Sequence, residues 1–353
     1  YVKPDGRQLW LYARHPLHVT DIPSPSPEPV TAHPHLRWHP LRGEWVIYAA
    51  HRQNRTFLPP PEYNPLAPTT DPSNPTELPA GNYQVAVFEN RFPSLVPHPA
   101  APPHLPAART APGQGACEVV VFTQDATGSL GRLDEDHLEL LLQVWADRTD
   151  QLGTHEHIRY VLPFENRGVE VGVTLHHPHG QIYAYPFIPP VQQKALELQR
   201  AHLEATGRNL GHDLVTAELE GRERLVSERE HALSFVPPFA RYPYETWVMP
   251  KRPVAYLSEL SAAQRRDLAS SLKESVLRLD GLWGRPMPYL LTVQQAPTDG
   301  EAHAEWALRI ELSPALRTES KLKFLAGTEL GAGVFANDTL PEHKARELRE
   351  VKV

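Results

Sequence analysis

His177-Pro178-His179-Gly180-Gln181 sets two imidazoles and a carboxamide at i, i+2 and i+4. In an extended strand alternate side chains leave on opposite faces, so His177, His179 and Gln181 project together, while Pro178, Gly180 and Ile182 form a small or apolar opposite face. Proline donates nothing to a strand ladder, so the segment reads as an edge strand or as a strand end beside a cleft. A neutral imidazole can attack phosphorus through one ring nitrogen while the other donates to a carbonyl that fixes the tautomer. Near its reference pKa it is largely neutral under physiological conditions. A carboxamide two residues on can donate to a nonbridging oxygen without adding a proton-transfer group. Together these groups suit covalent transfer of a phosphorus-linked group, with His179 the better candidate nucleophile and Gln181 the donor.

The elements that must carry this row follow from a weak internal repeat. Phe88–Phe92 matches Phe235–Phe239, and Glu118–Thr123 matches Glu245–Pro250. Each pair precedes an amphipathic helix. Asp134 is a plausible N-cap ahead of Leu138, Leu141, Trp145 and Leu152, and Ser261 with Gln264 reads as a capping box ahead of Leu268, Leu272, Val276 and Leu279. Strands are expected next at Tyr160–Phe164 and Tyr289–Val293, then at Gly180–Tyr185 and Ala307–Leu312. In the second copy Glu305, Ala307 and Arg309 stand where the first has His177, His179 and Gln181, so the fold does not require histidine there. The expectation is two tandem α+β units, residues 1–190 with the chemistry and residues 191–353 in support.

The 353-residue chain, 39.7 kDa, has room for two such units. Its charge of −7 and pI near 6.3 argue against a basic nucleic-acid-binding face, so a phosphate ligand must be held by local donors. One cysteine, Cys117, excludes an internal disulfide framework and suits a reducing cytosol. No apolar run approaches a membrane span and no signal-peptide pattern is read. Proline is about twice as frequent as usual, 38 residues concentrated at 16–40 and 59–112, which read as loops anchored by Trp45, Phe57, Tyr63, Tyr83 and Phe88. His33-Pro34-His35 and His155-Glu156-His157 lack the glycine and glutamine context and read as structural.

Several segments resemble the galactose-1-phosphate uridylyltransferase family, a branch of the histidine triad superfamily. They are Arg42–Ile47 with His51–Arg55, Val87–Pro93, Phe164–Gly168, His177–Ala184, Tyr242–Thr246 and Lys323–Glu329. The resemblance implies a tandem duplication of a histidine-triad-like unit, with antiparallel sheets, flanking helices and Pro-rich loops. It implies ping-pong exchange between UDP-glucose and galactose 1-phosphate, yielding UDP-galactose and glucose 1-phosphate, through a uridylyl-His179. Gln181 would donate to the phosphoryl group, Thr174 would lie near the α-phosphate, Asn166 at sugar and phosphate, and Asn90 near the uridine. Arg52 and Arg55 would supply charge to the diphosphate, while Lys323 and Glu329 would reach the sugar side across a homodimer interface in the cytoplasm. A related adenylyl-transferring branch, acting on ADP-sugars or dinucleoside polyphosphates, shares the His-x-His-x-Gln pattern; a non-catalytic nucleotide-sugar scaffold is the remaining alternative.

The resemblance breaks at the metals. Some family members bind zinc through a Cys-x-x-Cys pair, a later histidine and the first histidine of the motif; here those positions read Asn64, Ala67, Ala126 and His177. A second family metal site uses a glutamate and three histidines, which read Ala195, Gln294, Arg309 and Glu311. One imidazole cannot make a tetrahedral site, so no metal cofactor is expected and His177 needs another partner, a backbone carbonyl or a polar loop side chain.

Overall fold

The computed structural model describes residues 1–54 and 63–353; Arg55 and Phe57 lie outside the described residues. In chain order the elements are β1 (Leu9–Tyr12), β2 (His35–His39), β3 (Glu44–Tyr48), β4 (Val85–Glu89), β5 (Thr110–Pro112), β6 (Ala116–Val121), α1 (Glu135–Gly153), β7 (Tyr160–Arg167), β8 (His179–Tyr185) and α2 (Pro190–Thr206). There follow α3 (Leu210–Gly221), β9 (Leu225–Glu228), β10 (Ala232–Phe235), β11 (Thr246–Pro250), α4 (Ala262–Gly281), β12 (Tyr289–Gln294), β13 (Arg309–Pro314), β14 (Leu316–Thr318), β15 (Lys321–Leu322) and α5 (Pro341–Glu350).

Ten strands form one antiparallel sheet in the order β1-β4-β6-β8-β7-β12-β13-β11-β10-β9. Read outward from the central β7–β12 pair, the two sides repeat each other, β8-β6-β4-β1 against β13-β11-β10-β9. A small sheet, β3-β2-β5, takes β2 and β5 from the two Pro-rich stretches and β3 from the segment between them, and β14-β15 is a separate hairpin.

The helices form where the apolar spacing predicts. Asp134 accepts from the His137 N–H at 2.7 Å, and Ser261 with Gln264 closes a reciprocal capping box. Leu138, Leu141 and Trp145 of α1 and Leu268, Leu272 and Val276 of α4 are fully buried against Val161, Ile182, Leu291 and Ile310 of the sheet. Each such side chain contributes roughly 2 kcal/mol through burial. A buried bidentate pair, Arg148 on Glu118 at 2.7 and 3.0 Å, ties α1 to β6.

Two expectations need comment. Of the two readings of the Pro178 segment the strand end beside a cleft holds and the edge does not: β8 is an interior strand between β6 and β7 that begins one residue later, at His179. Two of the sequence matches within the repeat are also out of phase by one residue, whereas Phe88 and Phe235 agree in facing away from the helices. Glu118 faces α1, whereas Glu245 accepts from the Trp247 indole N–H on the side away from α4. Tyr289 sits in the core beneath the helices, while Tyr160 points the other way and donates to the Gln294 carboxamide. Similar letters had been paired across a strand whose period is 2, so a slip of one exchanges the faces. The pairing of Gln181 with Arg309 does hold in phase, since it sets Ile182 against Ile310 and both enter the helix-covered core.

Candidate functional site

Along β8 exposure alternates strictly, with His179, Gln181, Tyr183 and Tyr185 half-buried and Gly180, Ile182 and Ala184 buried. The glycine between the two functional residues is required by space: a Cβ at Gly180 would lie 2.6 Å from the Phe164 carbonyl oxygen and 2.8 Å from the Phe122 ring. The connection from β7 turns through Gly172 at φ 82°, the left-handed region, and brings Thr174 back toward the strand.

His179 Nδ1 lies 2.7 Å from the His177 carbonyl oxygen. A carbonyl can only accept, so Nδ1 carries the proton and Nε2 keeps its lone pair. Burial pushes this imidazole below its ordinary value against the opposing effect of that hydrogen bond, which favours the neutral, nucleophilic ring.

Gln181 is oriented by a chain of amides. The Phe92 N–H donates to Asn90 Oδ1 at 2.8 Å, and Asn90 Nδ2 donates to Gln181 Oε1 at 3.4 Å. With its oxygen engaged, the Gln181 NH₂ is the end left to donate. His179 and Gln181 line a cavity of about 350 Å³ with Arg52, Asn90, Arg91 and Thr174. Arg52 is held by the Phe92 carbonyl at 2.6 Å and the Tyr183 hydroxyl at 3.3 Å. Guanidinium and amide donors beside an unprotonated ring nitrogen make a site for a phosphate diester or diphosphate.

A second cavity, about 600 Å³, also reaches His179 and is lined by Asn166, Arg132, Arg167, Arg285 and His177. Arg167 is fixed by a bidentate pair with Asp280 of α4 at 2.7 and 3.0 Å. His179 therefore lines two cation-bearing cavities, one holding Asn90 and Thr174, the other Asn166.

His177 does not share the strand face of His179 and Gln181. It precedes the strand, is 3 % exposed, and has both ring nitrogens engaged. Nε2 donates to the Thr123 carbonyl at 2.7 Å, and Nδ1 accepts from Asn64 Nδ2 at 2.9 Å. Burial lowers its pKa, with Thr123 and Asp125 acting the other way.

These residues do not fit a zinc ion. The single imidazole is spent on hydrogen bonds, and Ala67 and Ala126 have nothing to coordinate with. The second family position fits no better: Arg309 Nε donates to Glu311 at 2.7 Å, and Gln294 bonds Tyr160 and Gln192. Among the described residues no group of three or more His, Cys, Asp or Glu is placed to hold a metal.

Lys323 and Glu329 pair with each other at 2.8 Å, and Lys323 also donates to the Ala336 carbonyl at 2.6 Å. The lysine hydrogen bond and two backbone N–H donors hold Glu329 down to about 2. Neither lines the two cavities at His179. His35 stacks on Tyr48 at 5.5 Å and, like His155 and His157, is absent from both linings. Sequence reasoning missed Arg91, Arg132 and Arg285 as lining residues and Asn64 as the His177 partner. Arg91, inside the Phe88–Phe92 segment, carried a signal, and so did Asn64, which the family's zinc positions group with His177; Arg132 and Arg285 arrive from distant segments.

A family model described as galactose-1-phosphate uridyl transferase, N-terminal domain, matches residues 26–189, and its C-terminal counterpart matches residues 193–353. The galactose-1-phosphate uridylyltransferase of Thermotoga maritima is 38% identical over 323 residues, covering 90% of this chain and 98% of its own length. That of Streptomyces lividans is 37% identical over 362 residues, covering 98% and 96%. A solved structure titled "Structure of uridylyltransferase" superposes with a TM-score of 0.80 at 30% identity, covering 90% of this chain and 98% of that one. The histidine strand with its amide-oriented glutamine thus lies in a chain that belongs to the galactose-1-phosphate uridylyltransferase family.

Proposed function

We propose that this protein exchanges the uridylyl group between UDP-glucose and galactose 1-phosphate through a covalent uridylyl-His179. The observation that carries this reading is the hydrogen bond from His179 Nδ1 to the His177 carbonyl, which leaves Nε2 unprotonated in a cavity shared with Gln181. Nε2 attacks the α-phosphorus; an N–P bond forms, the P–O bond to the β-phosphate breaks, and glucose 1-phosphate departs with the electron pair. Galactose 1-phosphate then attacks the same phosphorus through a phosphate oxygen, giving UDP-galactose and returning the lone pair to Nε2. No proton need move, which suits a carboxamide at Gln181. The ring is cationic in the adduct, and the His177 carbonyl stabilises it.

In this reading Asn90 lies toward the uridine and Thr174 beside the α-phosphate. Asn166 meets sugar and phosphate in the larger cavity, and Arg52 with Arg55 offsets the diphosphate charge. Lys323 and Glu329 act from a second copy, in a homodimer. The apolar side chains exposed around them, Phe324 at 71% and Leu330 and Val334 at 61%, support burial by such a copy. Residues 1–190 form the catalytic unit and 191–353 its supporting counterpart, a division that the mirrored strand order favours. We assign the enzyme to the cytoplasm, working without the zinc or the second metal of the family; no helix among the described residues is long and apolar enough to cross a membrane, and Cys117 is buried with its thiol pushed up to about 11.

The test is incubation with labelled UDP-glucose or ADP-glucose, trapping the acid-labile adduct. Label from UDP-glucose alone is expected; label from ADP-glucose alone would move the chain to the adenylyl branch. His179→Gly should bind UDP-glucose yet form no adduct, whereas a scaffold would be indifferent. Transfer should survive exhaustive chelation, and near-stoichiometric zinc in untreated protein would refute metal independence.

A further inference from the structure

One side chain of the Pro-rich segment, Asn64, bonds the residue whose carbonyl holds His179. Asn64 Oδ1 accepts from the Leu66 N–H at 3.0 Å, so its carboxamide cannot turn over, and Nδ2 is aimed at His177 Nδ1 2.9 Å away. On the far side of the ring, Nε2 donates to the carbonyl of Thr123, just beyond β6. The imidazole of His177 is thereby clamped between two parts of the chain, with one nitrogen accepting and the other donating. The same residue's carbonyl receives the His179 Nδ1–H at 2.7 Å. Hydrogen bonds therefore run from Leu66 through Asn64 to the His177 ring, and from the His177 main chain to the nucleophile.

We infer that Asn64 is a positioning residue for His179, fixing His177 so that its carbonyl selects the nucleophile's tautomer. The inference rests on the proposed role of His179 and adds a residue to it. A displaced carbonyl releases Nδ1 and lets the ring adopt the tautomer with Nε2 protonated, which cannot attack. Residues that fix reactive imidazoles in this way are commonly worth 10–100-fold in rate. Among the described residues Thr174, Asn90 and Arg52 share no hydrogen bond with Asn64, and Asn64 itself is not in the lining of their cavity, so substrate affinity is expected to change little with it.

The experiment measures single-turnover adduct formation from saturating UDP-glucose, substrate affinity, melting temperature and the imidazole ¹⁵N spectrum. It compares wild type with Asn64→Leu, which keeps bulk without a donor, and Asn64→Asp, which can again hold the ring by accepting from it. Asn64→Leu is expected to slow adduct formation ~10–100-fold, with affinity kept within about threefold and mixed tautomers at His177 and His179. Asn64→Asp should recover part of the rate. Adduct formation at the wild-type rate in Asn64→Leu would overturn the inference. So would a loss confined to affinity or melting temperature. Absence of an adduct in wild type would instead sink the parent reading, which keeps the two failures apart.

Discussion

β8 and β13 occupy matching places on either side of the central strand pair, yet they dispose of their polar groups in opposite ways. On β13 Arg309 turns back on Glu311 at 2.7 Å, and its guanidinium lies 5.1 and 5.8 Å from the rings of Trp247 and Trp306. Every charge there meets a partner from the same half of the molecule. On β8 one nitrogen of His179 and the oxygen of Gln181 are engaged, while the other ring nitrogen and the amide NH₂ are directed to a cavity. The difference teaches that this architecture supplies a rigid strand and two covering helices regardless of chemistry. Reactivity depends on which hydrogen-bonding atoms are left for a substrate.

The comparison is sharpened most by Gln181→Ala. Removing a donor aimed at developing phosphoryl charge should lower adduct formation by ~10²–10³-fold with little change in melting temperature, read by rapid-quench turnover. The mirror experiment, Arg309→Met, should do the reverse: transfer within about twofold of wild type, but a loss of roughly 3 kcal/mol of stability, because Glu311 is left nearly buried without its cation. A large rate loss from Arg309→Met would break the division between a reactive and a supporting half.

A smaller effect concerns Glu165 on β7, whose carboxyl is pushed up to about 7 by burial, opposed by Arg167 and the Tyr289 hydroxyl. Between about pH 4.5 and 7 the folded state keeps this proton while the unfolded chain has lost it, so stability falls as pH rises through that window, by at most about 3 kcal/mol. Glu165→Gln should flatten that slope in denaturant titrations; an unchanged slope would contradict the assignment.

The shared face of His179 and Gln181 was legible because strand alternation and a required glycine are local properties, and the helix stripes and caps were legible for the same reason. The partners of His177 were legible in kind, a backbone carbonyl and a polar loop side chain, but that the side chain is Asn64, 113 residues away in sequence, is decided only by folding. The register of the second half was not legible. Glu118 and Glu245 look alike as letters, but whether such a residue faces a helix or its own indole is decided by strand pairing. The pairing of Lys323 with Glu329 likewise emerges from the turn after β15, which no periodicity announces.

The most direct test of the central claim is intact-protein mass spectrometry after exposure to UDP-glucose without an acceptor. A gain of one uridylyl group, mapped to His179 and lost on adding galactose 1-phosphate with release of UDP-galactose, is the predicted result. An unmodified mass while UDP-galactose still forms in the complete reaction would contradict it, since the group would then pass directly between substrates.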